Sequence, residues 1–529
     1  MNCSLESLRN RNLNNHGVLP AMLTIASGLL FLPSLALAQV QTVSACQKLA
    51  TMTLSQTTVT LAEEVEPGAF SLPGASAPDA RIRDTYKQLP GFCRMAATIR
   101  PTSDSEIKIE VWLPSAGWNG KLQVVGNGGW AGSISYPAMA RALAAGYATA
   151  STNTGHDGDR ASFAPGHPEK LVDFAWRAVH LTVLQSKATV TSYYGSPAKR
   201  AYWNGCSSGG KQGLKEAQMF PNDFDGLVTG APANNWNHQK SAFAAKYQAT
   251  HRAPESAIPK EKYKMIHNAV LNACDSLDGV KDGVLENPIA CHFNPEILKC
   301  EGADGPACLT GPQVATMQIL YAPTKDPRNG TLLFPGMEPG TELALGTLIG
   351  DEPRLTQTDL FAYVVLNKPD WNVMTFDIAK DLPLAEKIDA TVGTAATDPN
   401  LKPLFAHHAK LLMYHGFSDP NIMPENTINY YKSAVDASGG LAKTKDSIRL
   451  FMVPGMGHCS GGEGPNAFDM VTALDAWVEE AKTPDRIIAA KLKDGEVVRT
   501  RPLCPYPQVA KYVGTGSTDE AANFVCRAQ

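Results

Sequence analysis

The pentapeptide Gly205-Cys206-Ser207-Ser208-Gly209 sets one serine between glycines in the form Gly-x-Ser-x-Gly. A serine hydroxyl is a poor nucleophile until something exposes it, takes its proton and stabilises the charge it creates. Here an apolar run, Arg200 to Trp203, reads as the end of a strand, and Lys211 to Phe220 reads as a helix stopped by Pro221. A serine forced into a sharp strand-to-helix turn has a strained backbone and an exposed hydroxyl. Gly205, Gly209 and Gly210 keep side chains out of that crowded turn. The helix N-terminus behind it aims amides at any negative charge that forms. The same pattern arises by chance in loops rich in Gly and Ser, so its place between strand and helix carries the argument.

Such a serine needs a base, and the base needs an acid to orient it. On a strand–turn–helix layout the chain order is Ser, then Asp or Glu, then His. Asp419 follows the apolar run Lys410 to Tyr414, and His458 follows the run Ser447 to Val453 in a glycine-rich loop. Both stand where residues at the C-terminal ends of parallel strands would meet Ser207. His415 reads as a residue that orders its loop, and His407 and His408 as surface or packing residues. Asp469 and Asp475 fall in the helical pattern Ala467 to Ala481 and are weaker acids for this role.

The elements that must position these residues are legible. Ile107 to Leu113 alternates apolar and polar, as a half-buried strand does. Lys121 to Val125 is a second strand, ending in Gly126-Asn127-Gly128-Gly129-Trp130. Glycines after a strand suit close backbone approach to a ligand, and equally a plain tight turn. Met139 to Ala145 reads as a helix, Ala148 to Ser151 as a strand, Asn153 to Asp159 as a polar turn containing His156 and Asp157, and Phe174 to Tyr194 as a long helix. Phe224 to Thr229 is the strand after the serine helix. Alternating strands and helices predict an α/β fold with a mostly parallel sheet. From about 234 the pattern turns to many Pro and Gly with few strand-like runs, which reads as an inserted domain over 234–396. The core is then split into 39–233 and 397–529.

The chain has 529 residues with a formal net charge of −4, 43% hydrophobic and 19% charged, which gives no footprint for nucleic acid. Arg9, Arg11 and His16 precede the apolar stretch Ala21 to Leu37, which ends in Ala36-Leu37-Ala38. This is the n-region, h-region and cleavage site of a signal peptide over 1–38, so export is expected, with no later span for a membrane. Of 11 cysteines, removal of Cys3 leaves ten. An even number in an oxidising compartment implies disulfides, whose connectivity the sequence does not fix. The economical pairing joins neighbours: Cys46–Cys93, Cys274–Cys291, Cys300–Cys308 and Cys504–Cys526. It leaves Cys206, just before Ser207, and Cys459, just after His458. A bond between them would tie the serine turn to the histidine loop, and two separate buried thiols are the alternative. No CxxC or HExxH spacing points to zinc.

A second motif is Cys274-Asp275-Ser276-Leu277-Asp278-Gly279-Val280-Lys281-Asp282-Gly283-Val284. Three acids with interleaved glycines can offer oxygens to Ca²⁺, although the spacing is not that of an EF-hand and an acidic turn reads as well.

Gly-Cys-Ser-Ser-Gly-Gly, the loop after Tyr414-His415 and Pro-Gly-Met-Gly-His-Cys-Ser-Gly-Gly together resemble the tannase and feruloyl esterase family. The similarity runs over nearly all of the mature chain, including Arg501-Pro-Leu-Cys-Pro-Tyr-Pro. The resemblance implies an α/β-hydrolase core with a large inserted lid, and one structural Ca²⁺ in that lid. It implies Ser207 as nucleophile, His458 as base and Asp419 as its partner, with oxyanion amides from Ser208 and Gly126 and with Asn127 next in line. It implies Ca²⁺ ligands on Asp275, Asp278 and Asp282 and on the carbonyls of Val280 and Val284, and it supports the cysteine pairing above. Trp371, Met374 and Phe376 lie in a stretch similar to the family's lid near the active site, where aromatics would stack on a phenolic ring, although each reads more readily as a core residue. The substrate implied is a small aromatic ester, of hydroxycinnamate first and gallate second, free or attached to plant polysaccharide or polyphenol. The family also holds a mono(2-hydroxyethyl) terephthalate hydrolase. The lid arginine of that enzyme finds no counterpart between Arg354 and Arg449. A catalytically inactive binding module on the same fold is the reading from a different class.

Overall fold

The structure, a computed structural model, describes residues 43–74 and 80–528. The expected signal peptide, 1–38, lies outside the described residues. From Ser44 on, the described residues form one compact unit.

A nine-stranded sheet runs through this unit. Its strands are β1 (Thr57–Val65), β2 (Phe92–Ile99), β3 (Ile107–Pro114), β4 (Lys121–Val125), β5 (Ala148–Thr152), β6 (Arg200–Cys206), β7 (Gly226–Gly230), β8 (Lys410–Gly416) and β9 (Ile448–Val453). Their spatial order is β1-β2-β3-β5-β4-β6-β7-β8-β9. The first pairings, β1 with β2, β2 with β3 and β3 with β5, are antiparallel. From β5 through β4, β6, β7 and β8 to β9 every neighbour is parallel. The serine thus leaves the middle of a parallel array whose strands end on one edge.

Burial explains why these segments became strands. Helices cover both faces of a parallel sheet, so its strands read as near-continuous apolar runs. Leu411 and Met413 of β8 enter one core, with Val124, Trp203 and Leu227. Leu412 enters the opposite core, with Tyr202, Val228, Phe451 and Trp477. The two-residue period sorts the side chains between the faces.

Sequence reading takes 39–104 as a helical segment and a polar stretch, whereas the structure adds β1 and β2 there. β1 alternates buried-side and exposed positions at the sheet edge and carries Glu63 and Glu64 outward, so it lacks the apolar run of the central strands. Two hairpin-like pairs form the tail, Ile487–Lys493 with Glu496–Leu503 and Gln508–Tyr512 with Phe524–Ala528.

Between β7 and β8 the chain adds no strand to the large sheet. It folds into helices such as Trp236–Thr250, Tyr263–Cys274 and Ile378–Val392, with one small pair of strands, Thr324–Lys325 and Leu332–Phe334. Its apolar residues Trp236, Phe334 and Phe361 form a core cluster that also takes in Trp130 and Phe174 from the sheet side. Five disulfides link the cysteines of the described residues: Cys46–Cys93, Cys206–Cys459, Cys274–Cys291, Cys300–Cys308 and Cys504–Cys526.

Candidate active site

Ser207 sits between β6 and the helix Ser208–Met219 with φ 64° and ψ −122°. A non-glycine residue with positive φ is strained, and here the surroundings hold it there. A Cβ on Gly205 would meet the Gly209 backbone at 2.6 Å, and one on Gly210 would meet the Gly230 carbonyl at 2.3 Å. Only glycine permits the helix to start this close to the strand.

The Ser207 hydroxyl lies 2.9 Å from His458 Nε2. His458 Nδ1 lies 2.7 Å from Asp419 Oδ2. With Nδ1–H donated to the carboxylate, Nε2 is left to accept from the serine. Asp419 is fully buried. Its Oδ1 accepts from the backbone N–H groups of Asn421 (2.7 Å) and Ile422 (3.1 Å). His415 Nε2 stands 3.0 Å from Asp419 Oδ2, while its Nδ1 faces the Thr427 hydroxyl at 2.7 Å. Burial alone would raise the Asp419 pKa. The charges and hydrogen bonds of His458 and His415 outweigh it and hold the carboxyl well below the usual carboxylate range. Arg354, from the inserted segment, donates to the Asn421 side chain, which brings its guanidinium close enough to feel the Asp419 charge.

Cys206 and Cys459 are bonded, so one covalent bridge joins the residue before Ser207 to the residue after His458 across 253 positions of sequence.

Two expected oxyanion donors need correction. The Gly126 N–H donates to the Asn204 carbonyl at 3.0 Å, which extends the pairing of β4 with β6. The Asn127 N–H donates to Gln212 Oε1 at 3.1 Å. Neither amide is free for a ligand. Asn127 is instead a buried brace: its carbonyl accepts the Gly209 N–H at 2.7 Å, and its side-chain amide reaches the carbonyls of Ser133 and Thr152. Among the described residues the N–H groups of Ser208 and Gly128 carry no hydrogen bond. The Cβ direction of Gly128 opens on space with nothing within 4 Å. Ser208 Oγ, donating to the Gly129 carbonyl at 2.7 Å, clamps this loop to the start of the helix.

A cavity of about 240 Å³ adjoins His458. Phe417, Pro420 and Gly457 line it from the sheet side, and Leu285, Pro339 and Leu343 from the inserted segment. Sequence reading missed these residues, since nothing in an isolated Leu or Pro marks it as a wall. Of the two readings of Trp371, Met374 and Phe376, wall or core, the structure takes core: they line no part of this cavity. Phe376 is buried and packs on Phe361 with ring centroids 4.8 Å apart; Trp371 lies 5.5 Å from the same ring. The carbonyls of Met374 and Phe376 accept from Gln248 Nε2, which fixes the segment against the helix Trp236–Thr250. They are core of the inserted segment. His156 also turns inward, stacked on Phe163 at 3.8 Å with Nε2 on the Trp130 carbonyl, and burial depresses its pKa. It belongs to packing beneath the glycine loop.

The acidic loop crowds negative charge. Asp275 accepts from the Gly283 N–H, and Asp278 accepts from the N–H groups of Val280 and Glu286. Asp282 bonds Arg501 and faces Arg499 at 3.6 Å, both from the tail. Burial, reinforced by Asp282 and Asp275, pushes Asp278 up to about 6. Burial, with Asp278 and Asp282 adding to it, pushes Glu286 up to about 8. Oxygen-only donors in this number, with the carbonyls of Val280 and Val284 in the same turn, fit a hard divalent cation.

A parallel sheet with a strained serine turn, a histidine and a buried aspartate at its strand ends defines an α/β fold with hydrolase character. The chain matches the family model "Tannase and feruloyl esterase" over residues 93–527, and it belongs to that family. It is 38% identical to an uncharacterised esterase of Xanthomonas campestris, over 91% of each chain. It is 36% identical to a probable feruloyl esterase B-1 of Aspergillus oryzae, over 82% of this chain and 83% of that one. The solved structure of feruloyl esterase B from Aspergillus oryzae superposes with a TM-score of 0.86 at 32% identity, covering 91% of this chain and 99% of that one. Tannin acyl hydrolase from Aspergillus niger shares the fold, with a TM-score of 0.72 at 20% identity over 90% and 93% of the two chains. The protein is a carboxylic ester hydrolase.

Proposed function

We propose that the chain is an exported serine esterase that cleaves esters of aromatic acids of the hydroxycinnamic, feruloyl type. The observation that carries this reading is the continuous relay Ser207–His458–Asp419, at 2.9 and 2.7 Å. Ser207 attacks the ester carbonyl while His458 Nε2 takes its proton. The buried, ionised Asp419 keeps His458 in the required tautomer and stabilises the imidazolium. The N–H groups of Ser208 and Gly128 receive the oxyanion at the helix N-terminus. His458 then protonates the leaving alcohol, and water releases the acyl group by the same steps reversed. The substrate enters the apolar cavity beside His458, under the inserted segment, which acts as a lid.

The names of the relatives support the feruloyl class. Likeness to tannin acyl hydrolase is a likeness of fold and keeps gallate esters as the runner-up. Ca²⁺ held by Asp275, Asp278, Asp282 and the carbonyls of Val280 and Val284 would neutralise the acidic loop; its contribution is structural. Five disulfides support an oxidising destination. Among the described residues no helix is long and apolar enough to cross a membrane.

The test is initial hydrolysis rates on methyl ferulate, methyl gallate and mono(2-hydroxyethyl) terephthalate, each beside Ser207→Ala. Preference for methyl ferulate with an inactive variant supports the reading. Preference for either other ester moves the acyl assignment and keeps the mechanism. Equal inactivity of wild type and variant on all three removes the aromatic-ester assignment.

A further inference from the structure

The helix that begins after Ser207 carries, toward its far end, a buried acid whose near polar neighbour is another acid, Asp223. Glu216 is 1% exposed, and neither of its carboxylate oxygens has a hydrogen-bond partner among the described residues. Native proteins pair buried carboxylates with donors or with cations, so two carboxylates brought together without a donor between them call for a cation or a shared proton. Two further donors stand beside it. One ring nitrogen of His180, one oxygen of Asp223 and one of Glu216 all lie within 4.8 Å of one another. Three donors each ~2.1 Å from one cation stand roughly 3.4–3.6 Å apart, so side-chain movements of about 1 Å at most close these three around one ion.

We propose that His180, Glu216 and Asp223 bind one first-row divalent cation, with Zn²⁺ as the occupant. The two carboxylates and a neutral imidazole carry a charge that one divalent ion cancels. An imidazole among the donors favours Zn²⁺ and its neighbours over Ca²⁺, which takes oxygen ligands. The three residues come from three places: the helix Ala178–Tyr194, the helix Ser208–Met219 and the turn that follows it. His180 is held for the task, its ring stacked on Phe220 at 3.7 Å and its Nδ1 on Asp223 Oδ2 at 2.7 Å. Lys187, the cation nearest to Asp223 in its contacts, donates to the Asp223 backbone carbonyl and leaves the carboxylate to others. The His180 side chain is 21% exposed, which provides an entry path and room for a water ligand. The site lies apart from the acidic loop at 275–286 and shares no residue with it. The ion would tie the helix that presents Ser207 to the long helix beside it.

The test titrates the full chain, in buffer saturated with Ca²⁺, with ZnCl₂ by calorimetry and with CoCl₂ by visible absorption. The expected result is one high-affinity equivalent with Co²⁺ d–d bands. His180→Gln and Glu216→Gln should each weaken it by about 100-fold or more while leaving ester turnover at the wild-type level. The proposal is overturned if wild type takes up neither ion, or if His180→Gln binds as tightly as wild type. The latter would leave Glu216 and Asp223 sharing a proton. Should a variant fail to fold, anomalous scattering from wild-type crystals soaked in ZnCl₂ decides: a peak between these three side chains supports the site, and its absence there overturns it.

Discussion

The serine–histidine region and the acidic loop solve opposite problems with the same kind of residue. At the first, Asp419 is fully buried, yet both of its oxygens are saturated by His458, His415 and two backbone N–H groups. Its ionised state is built in by the protein's own contacts. At the second, Asp275, Asp278, Asp282 and Glu286 crowd together. The cations facing them are Arg501 and Arg499, which serve Asp282, and crowding pushes Asp278 and Glu286 up. The first region is complete as folded, whereas the second is short of positive charge. The comparison teaches that preorganisation at the site is internal, while the loop that walls the cavity through Gly283, Val284 and Leu285 carries more acid than its own contacts neutralise.

The sharpest break of that comparison is Ser207→Ala. It should lower kcat by about 10⁴-fold or more with no loss of thermal stability, since it also relieves a strained residue only in part. A drop in Tm comparable to that of a core deletion would mean Ser207 holds the fold. The glycine loop gives a paired test. Gly126→Ala places a Cβ 2.6 Å from Gly209 Cα and 2.8 Å from Trp203, so it should destabilise the core and lower the soluble yield. Gly128→Ala meets nothing within 4 Å, so it should keep the wild-type Tm and lose activity by adding a methyl group beside the proposed oxyanion donor. Equal Tm values for the two variants would refute this division of labour.

The bridge between Cys206 and Cys459 closes a separation of 253 residues. On the chain-entropy view such a link contributes up to about 5 kcal/mol. Cys206→Ser with Cys459→Ser should lower the unfolding midpoint in urea and reduce kcat by roughly 10-fold through loss of triad alignment. An unchanged midpoint with an unchanged rate would remove the bridge from both roles. The acidic loop should respond differently. Chelation with EGTA should lower Tm by several degrees and raise KM, while kcat at low temperature changes little. Immediate loss of kcat on chelation would instead assign the ion to the chemistry.

What could be read in the sequence follows from locality. Ser207, Asp419 and His458 each sit just past a buried apolar run, so their common sheet edge is visible without coordinates. The paired cysteines flanking Ser207 and His458 carry the same message. The fate of a single N–H is not local: that Gly126 donates to Asn204 depends on the pairing of β4 with β6, and no motif encodes it. Trp371, Met374 and Phe376 look alike as wall or as core, and only Phe361, ten residues before Trp371 in sequence, decides the matter. The tail pair Ile487–Lys493 with Glu496–Leu503 did leave a signal, the hairpin dipeptide Asp494-Gly495 between them, which a search for turn chemistry recovers.

A smaller effect sharpens the comparison at the seam between the two regions. His267, on the helix Tyr263–Cys274, is 5% exposed and lies between Glu342 Oε2 at 2.9 Å and Glu463 Oε2 at 2.8 Å. Glu463 follows His458 in the loop of the active site, so the contact joins inserted segment to core. Burial would lower the His267 pKa, but hydrogen bonds and charge from Glu342 and Glu463 push it up to about 9. A folded pKa above the unfolded ~6.5 means the stabilisation is complete below pH ~6.5 and is lost as pH rises through about 9. With Glu463 half exposed and screened, about 2 kcal/mol is the expected size. Thermal melts of wild type and His267→Gln from pH 6 to 10 should therefore converge at the alkaline end. A gap that stays constant with pH would show that packing, and not the charge on His267, holds this seam.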